Sequence, residues 1–182
     1  LCATVVRISE LTGARWKEFR LDSIQPYWVI PRSRMKHKDK EHDHVVPLPL
    51  ELAERLKKWK PYTEGSPFVF PGATKKGTIS PATLEKLYSR TLKLGGKHCP
   101  HGWRSSFSTL ARQAKISKDG KEVPLNFDGE ATEVQQDHVH GRSVQPSYDR
   151  PFVAEGLDVG VLRWDQRITI MKWWGGGLGP GK

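Results

Sequence analysis

The chain has 182 residues, 36% of them hydrophobic and 27% charged, with a net charge of +10 and a pI near 9.7. That is one domain of soluble sequence, long enough to bury a sizeable core, and no apolar run nears the ~20 residues of a membrane span. The excess of cations points to a polyanion partner, nucleic acid ahead of an anionic membrane, while two distant cysteines, Cys2 and Cys99, exclude a disulfide framework and suit a reducing cytoplasm. No basic-then-apolar leader opens the chain. It starts within apparent structure, at Leu1 to Val6, so an upstream region is expected to be missing.

Residues 1–24 read as two helices joined at Thr12-Gly13. Val5, Ile8 and Leu11 share a face of the first, and Arg15, Trp16, Glu18, Phe19 and Leu21 form the second. Arg15 and Glu18 stand three apart, so the carboxylate can orient the guanidinium; a solvated surface pair is the plainer reading. Tyr27–Pro31 and His44–Leu48 read as strands of a hairpin or small sheet. Between them the cations fall at every second position: Arg32, Arg34, Lys36, Lys38 and Lys40. In an extended segment all would point one way, as a ladder tracking phosphates; protection of an edge strand by Lys explains the same pattern.

Pro49 to Trp59 is predicted as a helix with Leu50, Leu52, Ala53 and Leu56 on its apolar side. Phe68-Val69-Phe70 is a short buried run among turn residues. Ser80-Pro81 opens a helix with Ser as N-cap and Pro in the first position, and Gly95-Gly96 closes it near Leu94. Cys99–Ala111 then reads as a turn becoming a helix, its core side formed by Phe107, Leu110 and Ala111. His101 and Arg104 share a face of its first turn, where a helix favours anions; an ordinary amphipathic helix with a capping His is the plainer reading. Residues 116–133 are polar and irregular, with a turn at Lys118–Lys121. A short helix is expected over Glu130–Asp137 and a last one over Arg163–Trp174. Gly175 to Lys182 form a Gly-rich tail.

Taken in order, Arg15, Lys36, His101, Arg104, His138 and Tyr148 resemble the constellation of the tyrosine recombinase (phage integrase) family, in its prophage and genomic-island branch. The resemblance is carried by Leu11-Thr12-Gly13-Ala14-Arg15 with Glu18, Trp28–Pro31 leading to Arg34-Met35-Lys36, His44–Leu48, Phe68–Pro71, His101-Gly102-Trp103-Arg104, Ser147–Arg150 and Met171–Trp174. It implies an α+β, predominantly helical catalytic domain over residues 1–174, with a small antiparallel sheet near the N-terminal third and no N-terminal DNA-clamping domain in this chain. It implies a site-specific recombinase that cuts and rejoins double-stranded DNA through a 3′-phosphotyrosyl link, integrating or excising a mobile element. Such an enzyme needs no cofactor, because the covalent intermediate keeps the bond energy.

The roles follow from the resemblance. Tyr148 is the nucleophile, Arg15 and Arg104 hold the non-bridging oxygens as planar forks, and Lys36 protonates the leaving 5′-oxygen. His101 and His138 add hydrogen bonds and proton handling, Glu18 supports Arg15, and Arg32, Arg34, Lys38 and Lys40 contact phosphates. A homotetramer on DNA, accessory bending or excision factors, and a bacterial cytoplasmic, nucleoid-associated location are implied with them, and no membrane. Two departures stand out. Asp137 occupies a position where the family has Gly or Ala, with His140 as a second candidate for the histidine. The 34 residues from Arg104 to His138 are also more than the family leads one to expect, the surplus falling in Lys115–Glu130. The competing readings are a DNA-binding remnant without catalysis and a type IB topoisomerase-like strand transferase. A metal site at His98-Cys99-His101, or at His37, His42 and His44, is a further reading; the first cluster is too compact for all three side chains to ligate one ion and lacks a second cluster at zinc spacing.

Overall fold

The computed structural model describes residues 1–36, 42–73, 77–138 and 163–177. It is α+β and mainly helical: α1 (Ile8–Thr12), β1 (Phe19–Arg20), β2 (Tyr27–Ile30), β3 (His44–Pro47), α2 (Leu50–Trp59), α3 (Pro81–Lys86), α4 (Gly102–Arg112), β4 (Lys115–Lys118), β5 (Lys121–Pro124), α5 (Gly129–Gln135) and α6 (Trp164–Gly177). The first sheet is antiparallel in the order β1-β2-β3, with Phe19 opposite Trp28 and Trp28 opposite Val46.

Because strand side chains alternate between faces, β2 and β3 divide their residues between two cores. Trp28, Ile30 and Val46 pack with Val6, Met35, Leu56 and Val69 on one side. Tyr27 and Val45 meet Trp164 of α6 on the other, with Val29 and Ile168 beside them. Each fully buried aliphatic side chain here stabilises the fold by about 1.5–3 kcal/mol. A third cluster joins Val5, Phe107 of α4, Ala131 of α5 and Ile170, Met171 and Trp174 of α6. It fixes α4 and α5 side by side.

Several expectations change. Val5 lies outside α1, at φ 50°, and Leu50 and Leu110, expected on apolar sides, are exposed. The second helix over residues 15–21 is only a 3-10 turn at Trp16–Glu18 running into β1. Tertiary pairing overrides local propensity there: Arg15 bridges Phe68, Trp16 Nε1 donates to Thr63 Oγ1 at 2.8 Å, and Phe19 stacks on Trp28 at 4.9 Å. The helix after Ser80 is α-helical only to Lys86, then takes a π turn over Leu87–Thr91. Ser80 does cap it, accepting from the Thr83 N–H at 3.3 Å.

The polar stretch after Ile116 is a regular hairpin, β4 against β5, closed by Asp119 and Gly120 at φ 53° and 73°. Two left-handed residues in sequence suit a two-residue hairpin turn. Finally, α6 runs to Gly177, past the expected stop at Trp174. Gly175 lies so close to Pro49 that a Cβ there would stand 2.7 Å from the Pro49 ring. Among the described residues no helix is long and apolar enough to cross a membrane.

Candidate active site

Helix α4 begins at Gly102, with His101 as its N-cap residue. A Cβ at Gly102 would meet His98 Nε2 at 3.0 Å, so the histidine ring would have to give by a few tenths of an ångström. Arg104, in the first turn, is 4% exposed. Its Nη1 donates to the Val5 carbonyl at 2.6 Å and its Nη2 to the Gln136 carbonyl at 2.5 Å, while Gln136 Nε2 donates back to the Arg104 carbonyl at 2.6 Å. One guanidinium thus ties α4 to the N-terminal segment and to the end of α5. Val5 makes its carbonyl available from φ 50°, an uncommon conformation for a β-branched residue. Burial, and then the charge of Arg7, push Arg104 down to about 10, so it stays cationic at neutral pH.

Beside it lies a cavity of about 300 Å³ lined by His101, Arg104, Ser105, Ser108, Thr109, Gln136 and His138. Three predicted site residues therefore share one pocket. His101 is held below the ordinary histidine range by burial and by the charges of Arg104, Arg7 and His138. The three hydroxyls on the α4 face escape the sequence reading, although Ser105, Ser108 and Thr109 stand on Arg104's side at helical spacing.

His138 arrives through the end of α5. The Asp137 N–H donates to the Val134 carbonyl at 3.0 Å and the His138 N–H to the Glu133 carbonyl at 3.0 Å, with Asp137 at φ 53°. This is a Schellman motif, whose left-handed position most often holds Gly. The departure noted at Asp137 thus has a conformational side, since Asp tolerates that region better than most residues. It also has an electrostatic side. The Asp137 carboxylate accepts from Arg7 Nη1 at 3.0 Å and from Arg32 Nη1 at 3.0 and 3.2 Å, and its carbonyl accepts from Arg7 Nη2 at 3.1 Å. Arg7 in turn holds Glu10 at 3.0 Å. Below this cluster Arg167 of α6 donates to Gln135 and to the Val45 carbonyl, and burial pushes it down to about 9.

The other candidates lie elsewhere. Arg15 is exposed, its guanidinium 5.1 Å from the Phe68 ring centroid, and it is not among the pocket's lining residues. Glu18 does not orient that guanidinium. It accepts from the Arg15 backbone N–H at 3.2 Å, from Trp28 Nε1 at 2.9 Å and from Arg34 at 3.0 and 2.6 Å. Nor does the cation ladder form over residues 32–34, which make a 3-10 turn after Pro31. Proline's fixed φ starts that turn, and carboxylates draw the side chains inward: Arg32 to Asp137, Arg34 to Glu18. Lys36 is exposed. Lys38, Lys40, His140 and Tyr148 lie outside the described residues. Among the described residues no three His, Cys, Asp or Glu side chains gather as a metal ion requires.

The family model described as Phage integrase family matches residues 1–124. The chain belongs to the phage integrase family. This integrase-family chain is 29% identical over 186 residues to the integrase of Enterobacteria phage P4, a match covering 94% of the chain and 37% of that protein. It is 28% identical to the integrase of Shigella phage Sf6 and 28% identical to the prophage integrase IntS of Escherichia coli K12. Each of those matches covers 94% of the chain and 38% of the relative. The chain thus spans well under half the length of the relatives it matches. A solved structure titled as a XerA recombinase superposes on 76% of the chain and 50% of that protein, with a TM-score of 0.45 and 13% identity. The family match stops at Pro124, the end of β5, ahead of the segment that carries His138 and Tyr148.

Proposed function

We propose that the chain is the catalytic part of a longer site-specific DNA recombinase, which cuts and rejoins strands through Tyr148. The observation that carries the reading is the meeting of His101, Arg104 and His138 at one pocket in a chain of the phage integrase family. Such a pocket suits phosphoryl transfer, where the protein's work is positioning and charge stabilisation. The Tyr148 oxygen attacks the phosphorus and gives its proton to a histidine of the pocket, His101 or His138. The 5′-oxygen leaves and takes a proton from Lys36. The religation step reverses this and needs no external energy source. Arg104 uses two N–H groups on carbonyls, which leaves three for phosphate oxygens. Arg15 would supply the second fork, and Lys38 and Lys40 would contact the flanking backbone. The remaining length of the relatives is where a DNA-clamping part would lie, and tetramer assembly, accessory factors and a nucleoid setting belong to that whole protein.

A second reading, a DNA-binding remnant without catalysis, draws on Arg15, which stacks on Phe68 instead of lining the pocket. One experiment separates the two. A pool of nicked duplexes of randomised sequence is incubated with the chain, covalent adducts are recovered, and the modified peptide is identified by mass spectrometry. The recombinase reading expects an adduct on Tyr148 that Tyr148→Phe abolishes while DNA affinity holds. Wild-type protein that binds the pool and yields no adduct overturns it.

A further inference from the structure

The Schellman motif that ends α5 does more than turn the chain. In that motif the residue after the left-handed position and the residue five before it bring their side chains together, ordinarily as an apolar contact. In this chain those residues are His138 and Glu133, and the contact is polar: His138 Nδ1 lies in close hydrogen-bond contact with Glu133 Oε2. The same Glu133 receives the His138 backbone N–H on its carbonyl. One residue therefore holds both the backbone and the ring of the histidine. The Glu133 side chain is 16% exposed, against 41% for His138. Its other carboxylate oxygen accepts from Arg112 of α4 at 3.2 Å, so the carboxylate is braced from the helix that also carries Arg104.

We propose that Glu133 is a positioning residue for His138. It accepts a hydrogen bond from Nδ1–H, which fixes the tautomer and leaves Nε2 as the ring atom that serves the pocket. Among the described residues, the charged and titratable groups around the pair are His101 and Arg104 at the pocket, Arg112 on Glu133, and Asp137 with Arg7 at the adjoining turn. All of these but Asp137 are cationic or can become so, and Glu133 is the carboxylate in contact with the ring. The inference rests on the reading of the pocket given above only for what Nε2 does; the tautomer itself does not depend on it.

The test uses the chain as it is. Long-range 1H–15N spectra of the imidazoles at about pH 8.5, above the ordinary histidine range, report which ring nitrogen of His138 carries the proton. Wild type is expected to hold it on Nδ1. Glu133→Gln keeps an acceptor oxygen and should keep that tautomer. Glu133→Ala should lose it, and Arg112→Ala, which spares the carboxylate, should not. In the adduct assay Glu133→Ala should slow cleavage on the order of tenfold, the lower end for a lost outer partner of a functional histidine, with DNA affinity held. An unchanged tautomer in Glu133→Ala overturns the proposal. A changed tautomer with no adduct even from wild type upholds the positioning role and overturns the recombinase reading instead.

Discussion

Replacing Asp137 tests whether the turn before His138 is held by charge or by backbone shape. The carboxylate is 4% exposed and is shared by two guanidinium groups, Arg7 at 3.0 Å and Arg32 at 3.0 Å, themselves 17% and 11% exposed. Removing the carboxylate leaves the half-enclosed Arg32 without its carboxylate partner and Arg7 with Glu10 alone, which costs about 3–5 kcal/mol. The backbone works the other way. Asp137 sits at φ 53°, where a side chain costs about 1–2 kcal/mol that glycine does not incur. Asp137→Ala should therefore lose roughly the full electrostatic amount, about 4 kcal/mol. Asp137→Gly should lose about 1–2 kcal/mol less, and Asp137→Asn should fall between wild type and Ala. Urea unfolding followed by fluorescence reads all three, with the slope m expected to stay constant. A glycine variant as stable as wild type would refute the argument, because the ion pairs would then contribute nothing beyond the strain they accompany.

Other outcomes follow from single residues. His44 is buried and held well below its ordinary value by burial and by the charge of Arg167. The unfolded chain therefore binds a proton that the native one does not, and stability should fall as pH drops below about 6.5, by up to about 1.4 kcal/mol per pH unit. Urea midpoints of wild type and His44→Gln at several pH values should differ by that slope; parallel curves would refute it. Gly175→Ala places a Cβ against Pro49 and should cost about 1–3 kcal/mol. Gly176→Ala meets nothing within 4 Å and should gain up to about 1 kcal/mol of helix propensity, so thermal midpoints should move in opposite directions. Arg34→Ala strips the buried Glu18 of its guanidinium and should cost about 3 kcal/mol. Its salt slope for DNA binding should change by well under one unit, unlike a residue that contacts a phosphate.

Much of this architecture is legible in the residues because local and tertiary signals agree. Tyr27–Ile30 and His44–Pro47 are β-branched and aromatic runs, and the spacing of His101 and Arg104 on one helical face survives in the structure. What escapes is decided by partners distant in sequence. Trp16 and Phe19 have helical spacing, yet a pairing with Phe68 and a stack on Trp28 take the segment into a turn and a strand. Arg32 and Arg34 alternate as a strand surface would, yet Asp137, 105 residues further on, and Glu18 claim them. Asp137 reads as an anomaly in sequence because both of its reasons, a left-handed turn and a pair of guanidinium groups, exist only once α5 ends beside Arg7.

The β4–β5 hairpin lengthens the interval between Arg104 and His138 without separating them in space. Among the described residues its strands pair only with each other, and the ladder is closed at its base by the Leu125 N–H donating to the Ala114 carbonyl at 2.9 Å. Both strands are exposed along their whole length. The excursion therefore leaves and rejoins the body at nearly one point. Lengthening it is cheap, since each doubling of a loop adds only about 0.6 kcal/mol of closure entropy. Asp119-Gly120 is accordingly a permissive junction, where a fluorescent or affinity module can be spliced in while the helices on either side keep their pocket.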